Sequence, residues 1–143
     1  ARGAYGLMSP ETPLNRWWDD LYEAEYGVFA VQATYRMEQA LLGLKSANEK
    51  AMDGNGGTRP SVDEIRAAMT GHEWETPGGL IQMKLGNGHQ AIQPSAIGTT
   101  ARDEDGNITL VDIERFDAAC VNPPEGMKSV DWINAGFPGA VCD

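Results

Sequence analysis

Basic residues are scarce in this chain of 143 residues, which carries 11 Lys and Arg against 21 Asp and Glu. The resulting formal net charge of -10 disfavours binding to nucleic acids and to anionic membranes, because both need clustered positive charge. No apolar run approaches the roughly 20 residues that a membrane-spanning helix requires. Hydrophobic residues still make up 41% of the chain, which is enough for a globular core.

Motifs typical of catalytic, metal-binding or phosphate-binding sites are also few. The two histidines, His72 and His89, have a spacing that fits no zinc pattern. The chain lacks a Gly-x-Ser-x-Gly motif, and its glycine-rich loop at residues 54–57 lacks the Lys-Ser/Thr pair of a phosphate-binding loop. The acidic run at residues 103–107 has no Glu at the twelfth position of a calcium loop. We therefore predict no catalytic residue, no metal site and no cofactor, and hence a protein that is not an enzyme.

The chain has two cysteines, Cys120 and Cys142, both in its last quarter. They are either free thiols in a reducing compartment or a disulfide in an oxidising one, and we favour the disulfide. Such a bridge would close a loop of about 20 residues and stabilise the fold by roughly 3 kcal/mol in the chain-entropy treatment. Because Pro and Gly exclude long elements there, we predict an irregular tail over residues 120–143, distinct from residues 1–119.

Helical signals dominate the first half of the chain. Thr12 and Pro13 form an N-cap followed by proline at the first helical position, and Gly27 is a natural end for this helix. The helix carries one apolar stripe, formed by Leu14, Trp17, Trp18, Leu21 and Tyr22. Residues 28–52 predict a second long helix. Ser61 and Glu64 form a capping box that opens a short third helix before Gly71.

The pattern then changes to the alternation of β-strands. Strands are predicted at residues 80–85, 91–101 and 108–116, with Pro94 marking an edge or a bulge. Asp105 and Gly106 predict a hairpin turn before the last strand. The sequence thus predicts an α/β chain of two long helices, one short helix and a meander of antiparallel strands. Three strands cannot cover these helices, so the aromatic stripe needs a further surface to pack on.

Several short motifs occur in a characteristic order: Ala4-Tyr5-Gly6-Leu7-Met8-Ser9, Ala33-Thr34-Tyr35, Thr76-Pro77-Gly78-Gly79 and Gly88-His89-Gln90-Ala91. In order and spacing they resemble the C-terminal part of a type I periplasmic solute-binding protein of ABC importers. The branch that they resemble contains the receptors for branched-chain amino acids, amides and urea. This resemblance implies that residues 1–119 are the C-terminal portion of a two-lobed ligand-binding domain. It also implies that the N-terminal lobe and part of the second lobe lie outside this chain.

The resemblance implies an extracytoplasmic, periplasmic protein that captures a small polar solute by hinge closure and delivers it to a membrane permease. The solute would be an amino acid, an amide or urea. Tyr5, at a strand end, and Phe29 and Gln32, near the start of the long helix, would face the ligand cleft. The alternative is that Tyr5 and Phe29 are only core residues. A ligand-sensing regulator of the same fold, responding to an amide or amino acid, is the alternative function.

The chain opens at Ala1, without an initiator Met or an apolar leader. We interpret this as the result of a removed targeting segment or as a piece of a longer protein. By itself such a piece should bind ligand weakly, and its exposed interface should promote self-association.

Overall fold

The computed structural model describes residues 2–3 and 5–142; Ala4 of the first motif and Asp143 of the predicted tail lie outside this part. The three predicted helices are present as α1 (Pro13–Tyr26), α2 (Gln32–Gly54) and α3 (Val62–Met69). Thr12 caps α1 by accepting a hydrogen bond from the backbone N–H of Asn15 at 3.1 Å. Gly27 ends the helix at φ 67°, a left-handed conformation that glycine adopts without a steric penalty.

Helix α2 begins four residues later than the sequence predicts. The residue before it, Val31, has φ -97° and ψ 167°, so the backbone is extended rather than helical at this point. β-branched residues favour this conformation, and both Val28 and Val31 lie in the segment that was expected to be helical. The delay leaves residues 28–31 as a separate segment in front of the helix.

The capping box of α3 is confirmed. The hydroxyl of Ser61 accepts a hydrogen bond from the backbone N–H of Glu64 at 3.3 Å, and the Glu64 carboxylate accepts one from the Ser61 N–H at 2.7 Å. The pKa of this carboxylate is lowered because the backbone N–H and the hydroxyl of Ser61 both donate hydrogen bonds to it. Gly71 follows the helix at φ 67°, as a helix-ending residue should.

The strands form two antiparallel sheets rather than one meander. The first sheet has the order β2–β3–β4 and the second the order β1–β5–β6. Their residues are β1 (Arg2–Gly3), β2 (Glu73–Trp74), β3 (Ile81–Leu85), β4 (Gln90–Ile92), β5 (Ser95–Arg102) and β6 (Ile108–Phe116). The predicted strand at residues 91–101 is therefore two strands in different sheets. Pro94 lacks an N–H for a ladder, and the chain passes from one sheet to the other at this residue.

Side-chain hydrogen bonds fasten the connections between the two sheets. Arg115, on β6, donates hydrogen bonds to the carbonyl oxygens of Leu7 at 3.2 Å and Ser9 at 3.0 Å. The Asn122 amide donates to the carbonyl of Gln93 at 3.5 Å, beside the crossing between β4 and β5. Arg115 thus fixes the second sheet to the segment that leads into α1, and Asn122 fixes the start of the tail to the crossing at Pro94.

Helix α2 packs on the first sheet through Trp74. The Trp74 indole N–H donates to the carbonyl oxygen of Gln39 at 3.0 Å. A Cβ atom at Gly43 would lie 2.5 Å from the Trp74 ring, so only glycine fits at this position. Next to it, His72 stacks on Trp74 with ring centroids 5.8 Å apart, and its Nε2 lies 2.8 Å from the Ser46 hydroxyl. The core therefore lies between α2 and this sheet.

The tail contains two short helices, α4 (Ala118–Val121) and α5 (Ser129–Asn134). A disulfide joins Cys120 to Cys142, with an S–S distance of 2.01 Å, which is the favoured of the two interpretations of these cysteines. Trp132 is buried and donates a hydrogen bond from its indole N–H to the carbonyl of Pro138 at 3.0 Å. The separation of residues 1–119 from 120–143 remains a prediction, with its boundary inside α4.

Candidate ligand-binding site

Tyr5 lies beside the first turn of α2. Its ring contacts the ring of Tyr35 edge to face, with centroids 6.4 Å apart and planes at 60°. Tyr35 is 1% exposed and belongs to that first turn, whereas Tyr5 is half-buried. The structure thus brings the residue that follows β1 to the helix end at which the other two predicted ligand-binding residues lie.

Phe29 and Gln32 are both exposed. Phe29 is 77% exposed, so it is not a core residue in the part of the chain that the structure describes. The segment is held at Ala30, which is buried, while Val28 and Val31 on either side of it are exposed. An aromatic surface therefore stands open to solvent directly before α2, and Gln32 provides a polar group next to it. The binding roles of Tyr5, Phe29 and Gln32 remain predictions.

The N-terminus of α2 offers backbone donors. The first N–H groups of an α-helix lack acceptors within the helix, and no side chain caps this one at Val31. The first turn contains no acidic residue that would compete for these donors. Thr34 donates its hydroxyl hydrogen bond to the carbonyl of Val31 at 2.7 Å. Such a helix end, together with its macrodipole, suits an anionic group such as a carboxylate.

A hydrogen-bond network, buried at Asn15 and partly buried at Asp19, holds this helix end against α1. The Tyr35 hydroxyl donates to Asp19 Oδ1 at 2.6 Å and accepts from Asn15 Nδ2 at 3.0 Å. Burial, followed by the hydrogen bond and the charge of Asp19, raises the pKa of Tyr35 to about 12, so its hydroxyl remains protonated at neutral pH. The network fixes the first turn of α2 and therefore also the contact of Tyr35 with Tyr5.

This network is not among the predictions from the sequence, which singled out neither Asn15 nor Asp19. The available signal was the spacing of Asn15 and Asp19, because polar residues four apart share one face of a helix. A single Tyr on α2 was the only sign of their partner. The pairing spans 16 and 20 residues of sequence and becomes visible only in the tertiary structure.

Two further polar groups are buried around Tyr35. The Trp18 ring meets Tyr35 edge to face at 6.3 Å, and its indole N–H has no hydrogen-bond partner among the described residues. Glu38 is 7% exposed, and within the same part of the chain neither of its carboxylate oxygens has a partner. Burial raises the pKa of Glu38 to about 7. Both groups are polar atoms withdrawn from water without compensation.

A separate cavity of about 470 Å³ lies where the two sheets meet, next to the disulfide. Its lining includes Met8, Leu80, Ser95 and Arg115. None of the three predicted ligand-binding residues contributes to it.

Among the described residues there is also no group of three or more His, Cys, Asp or Glu side chains that could hold a metal ion. Within the same part of the chain, none of the helices has the length and apolar character needed to cross a membrane.

Comparisons with known proteins show which solved structures share this fold. Neither the protein-family models nor the curated proteins provide a match. Among solved structures, the chain is similar to an ABC-transporter solute-binding protein of Rhodopseudomonas palustris BisB5, in complex with 3,4-dihydroxybenzoic acid. The TM-score is 0.63 at 21% identity, over 82% of this chain and 30% of that chain.

Two other solved structures give the same result. A solute-binding protein of Rhodopseudomonas palustris HaA2 in complex with p-hydroxybenzoic acid has a TM-score of 0.59 at 16% identity, over 82% of this chain and 30% of its own. The leucine-binding protein LivK of Thermotoga maritima has a TM-score of 0.55 at 14% identity, over 78% and 29%.

The structural neighbours are type I periplasmic solute-binding proteins, which bind ligands and are not enzymes. The predicted fold class is confirmed: helices followed by antiparallel strands, matching part of a periplasmic-binding-protein fold. The chain spans about 30% of the length of these neighbours. At these identities the similarity concerns the fold alone.

Proposed function

We propose that this chain forms part of the extracytoplasmic solute-binding component of an ABC importer. The observation that carries the proposal is the structural similarity to solute-binding proteins over 82% of the chain. The partners would be a small-molecule ligand and a membrane permease. A periplasmic location fits the disulfide between Cys120 and Cys142, because such bonds persist in oxidising compartments.

We infer that the ligand is a small organic solute with a carboxylate, a class that includes amino acids. The ligands named for three structural neighbours, two hydroxybenzoic acids and leucine, all carry a carboxyl group next to an apolar one. In this chain the uncapped N-terminus of α2 supplies N–H donors for an anion, and Phe29 supplies an exposed apolar surface. Tyr5 and Gln32 would complete the surface with polar groups.

The proposed mechanism is binding with hinge closure and no covalent step. A ligand that contacts two lobes only when they are closed raises the population of the closed state. Because the chain spans about 30% of its structural neighbours, the surface around Phe29 would form only one side of the site. The 143-residue chain by itself should therefore bind more weakly than the complete product of its gene.

Calorimetric titration of the complete gene product tests the proposal. The panel pairs each acid with its neutral amide: leucine with leucinamide, and p-hydroxybenzoate with p-hydroxybenzamide; acetamide and urea are added. We expect binding of at least one acid, with its amide about 10- to 100-fold weaker, because a hydrogen bond to a charged group contributes about 1.5–3 kcal/mol. Phe29→Ala should weaken binding, while Val62→Ala, at an exposed position on α3, should leave it unchanged.

Two results would contradict the proposal. Absence of binding across the whole panel would remove the solute-binding role. Tight binding of an amide in preference to its acid would refute the carboxylate assignment and restore the amide-receptor prediction. Cell fractionation gives an independent check, since a cytoplasmic product with reduced thiols would favour the ligand-sensing regulator over the importer component.

A further inference from the structure

The cavity of about 470 Å³ has one wall that is held rigidly by a tight turn. Thr76 and Gly79 exchange backbone hydrogen bonds at 3.2 and 3.0 Å, and the Thr76 hydroxyl donates to the Gly79 carbonyl at 2.6 Å. A Cβ atom at Gly79 would lie 3.3 Å from the Pro94 ring and 3.6 Å from the Pro10 ring, so both rings stand close to the turn. Because proline has a fixed φ, this wall has little freedom to rearrange.

Other contacts fix the rest of the lining. The guanidinium of Arg115 donates to the carbonyl oxygens of Leu7 and Ser9, and the residue between them, Met8, lines the cavity. The disulfide contributes both of its cysteines to the lining. A cavity whose walls are already in place is typical of a small-molecule site, because binding then costs little conformational entropy.

Most of the residues that line the cavity are apolar. They include the side chains of Met8, Leu80 and Phe116, in addition to the rings of Pro10 and Pro94. Ligand pockets commonly have volumes of about 300–1,000 Å³ and combine such an apolar lining with a few polar groups. The apolar residues can therefore hold the hydrocarbon part of a small ligand, and the polar residues determine which head group accompanies it.

The charged groups of the lining favour a cationic head group. Glu75 and Asp117 both line the cavity, and within the described residues neither carboxylate has a hydrogen bond or an ion pair. Of the described residues in the lining only Arg115 is basic, and its guanidinium is already bound to backbone carbonyl oxygens. The net charge of -10 on the whole chain also attracts cations. An aromatic residue such as Phe116 adds a further attraction, since the face of its ring is electronegative.

We propose that this cavity is a second binding site, which takes a small organic amine. The ammonium group is bound by Glu75 and Asp117, and the apolar part of the ligand packs on Met8, Leu80 and Phe116. This site shares no residue with the surface at the start of α2, and its charge preference is the opposite one. The inference therefore does not depend on the proposed function.

Calorimetric titration of the complete gene product with benzylamine tests this inference. Benzylamine is a cation at neutral pH, and benzyl alcohol is the neutral probe of nearly the same shape. The titrations are made at low ionic strength, because salt screens the charge of exposed carboxylates. We expect the amine to bind about 10- to 100-fold more tightly than the alcohol, as is typical of hydrogen bonds to a charged group.

Substitutions of the two carboxylates locate the site. Glu75→Gln and Asp117→Asn should each weaken benzylamine binding by about 10-fold, the lower end of that range. Both residues are exposed and neither is hydrogen-bonded through its carboxylate, so both variants should fold normally. Glu104→Gln, on the hairpin between β5 and β6, removes one negative charge outside the cavity and should leave benzylamine binding unchanged.

Three results would overturn the inference. Absence of benzylamine binding would remove the second site, and equal binding of benzyl alcohol would refute the role of the carboxylates. Benzylamine binding that neither carboxylate substitution weakens would place the amine elsewhere on the protein. The acid panel described above separates this failure from that of the proposed function. Binding of an acid without binding of benzylamine would refute the second site alone, whereas binding of benzylamine without any panel ligand would refute the solute-binding role alone.

Discussion

The buried carboxylate of Glu38 should make the stability of the protein depend on pH. This side chain is 7% exposed, and within the described residues it has no hydrogen-bond partner. Burial raises its pKa from 4.5 to about 7, so the folded protein binds a proton that the unfolded chain has already released in this range. The folded state is therefore favoured below pH 4.5, and this contribution is lost as the pH rises through 7.

The magnitude follows from the size of the shift. A change from 4.5 to about 7 corresponds to roughly 3 kcal/mol at about 1.4 kcal/mol per pKa unit. Glu38→Gln removes the ionisation while retaining the shape of the side chain. We expect the variant to match the wild type near pH 4.5 and to exceed it in free energy of unfolding by about 3 kcal/mol at pH 8.

Urea denaturation between pH 4.5 and pH 8 measures this difference. His72, whose pKa is lowered by burial and then by the charge of Lys50, also titrates with folding, but its effect cancels when variant and wild type are compared. Glu104→Gln, on the exposed hairpin, controls for the loss of one negative charge. A difference between Glu38→Gln and the wild type that stays constant over this range would refute the desolvation of Glu38.

Two further substitutions test the packing of α2. Tyr35→Phe should lower the free energy of unfolding by about 1–3 kcal/mol, because Asn15 and Asp19 lose their hydrogen bonds to the Tyr35 hydroxyl. Tyr26→Phe, at a residue 64% exposed, is the control and should have little effect in the same urea titration. Gly43→Ala should lower the free energy of unfolding by about 1–3 kcal/mol, because it forces a methyl group against the indole ring of Trp74. Gly54→Ala is the control, since a Cβ atom there meets open space, and it should be neutral or slightly stabilising. Equal effects of the two substitutions on stability would contradict the close contact.

Helix and strand boundaries that depend on local chemistry could be predicted from the sequence. Thr12 and Gly27 delimit α1, because a side-chain cap and a left-handed glycine act on the backbone nearest to them. The same holds for the capping box of α3 and for β6, whose bounds at residues 108–116 match the prediction. The predicted start of α2 was wrong because Val31 provides no side-chain cap, and the preference of Val28 and Val31 for extended backbone was not taken into account.

The assignment of strands to sheets could not be predicted. Ile92, Ala96 and Gly98 are buried on both sides of the break at Pro94, so the alternating pattern continues while the chain changes sheet. A pattern of period two reports which face of a strand is covered but carries no information about its neighbour. The neighbours are instead set by pairings distant in sequence, such as Ser95 with Phe116.

In the candidate site, too, some features could be predicted from the local sequence and others could not. Local signals placed the start of α2 within four residues of its true position, and the resemblance then pointed to Phe29 and Gln32 beside it. The network that holds this helix start joins Tyr35 to Asn15 and Asp19 on another helix, and its geometry depends on how α1 and α2 pack. The exposed apolar residues of α2 are a further example. An apolar helix face predicts burial, whereas Met37, Leu41 and Leu44 are 63%, 59% and 52% exposed in the described part of the chain. A sequence pattern therefore reports that a helix face is apolar, but whether that face is covered depends on the tertiary structure.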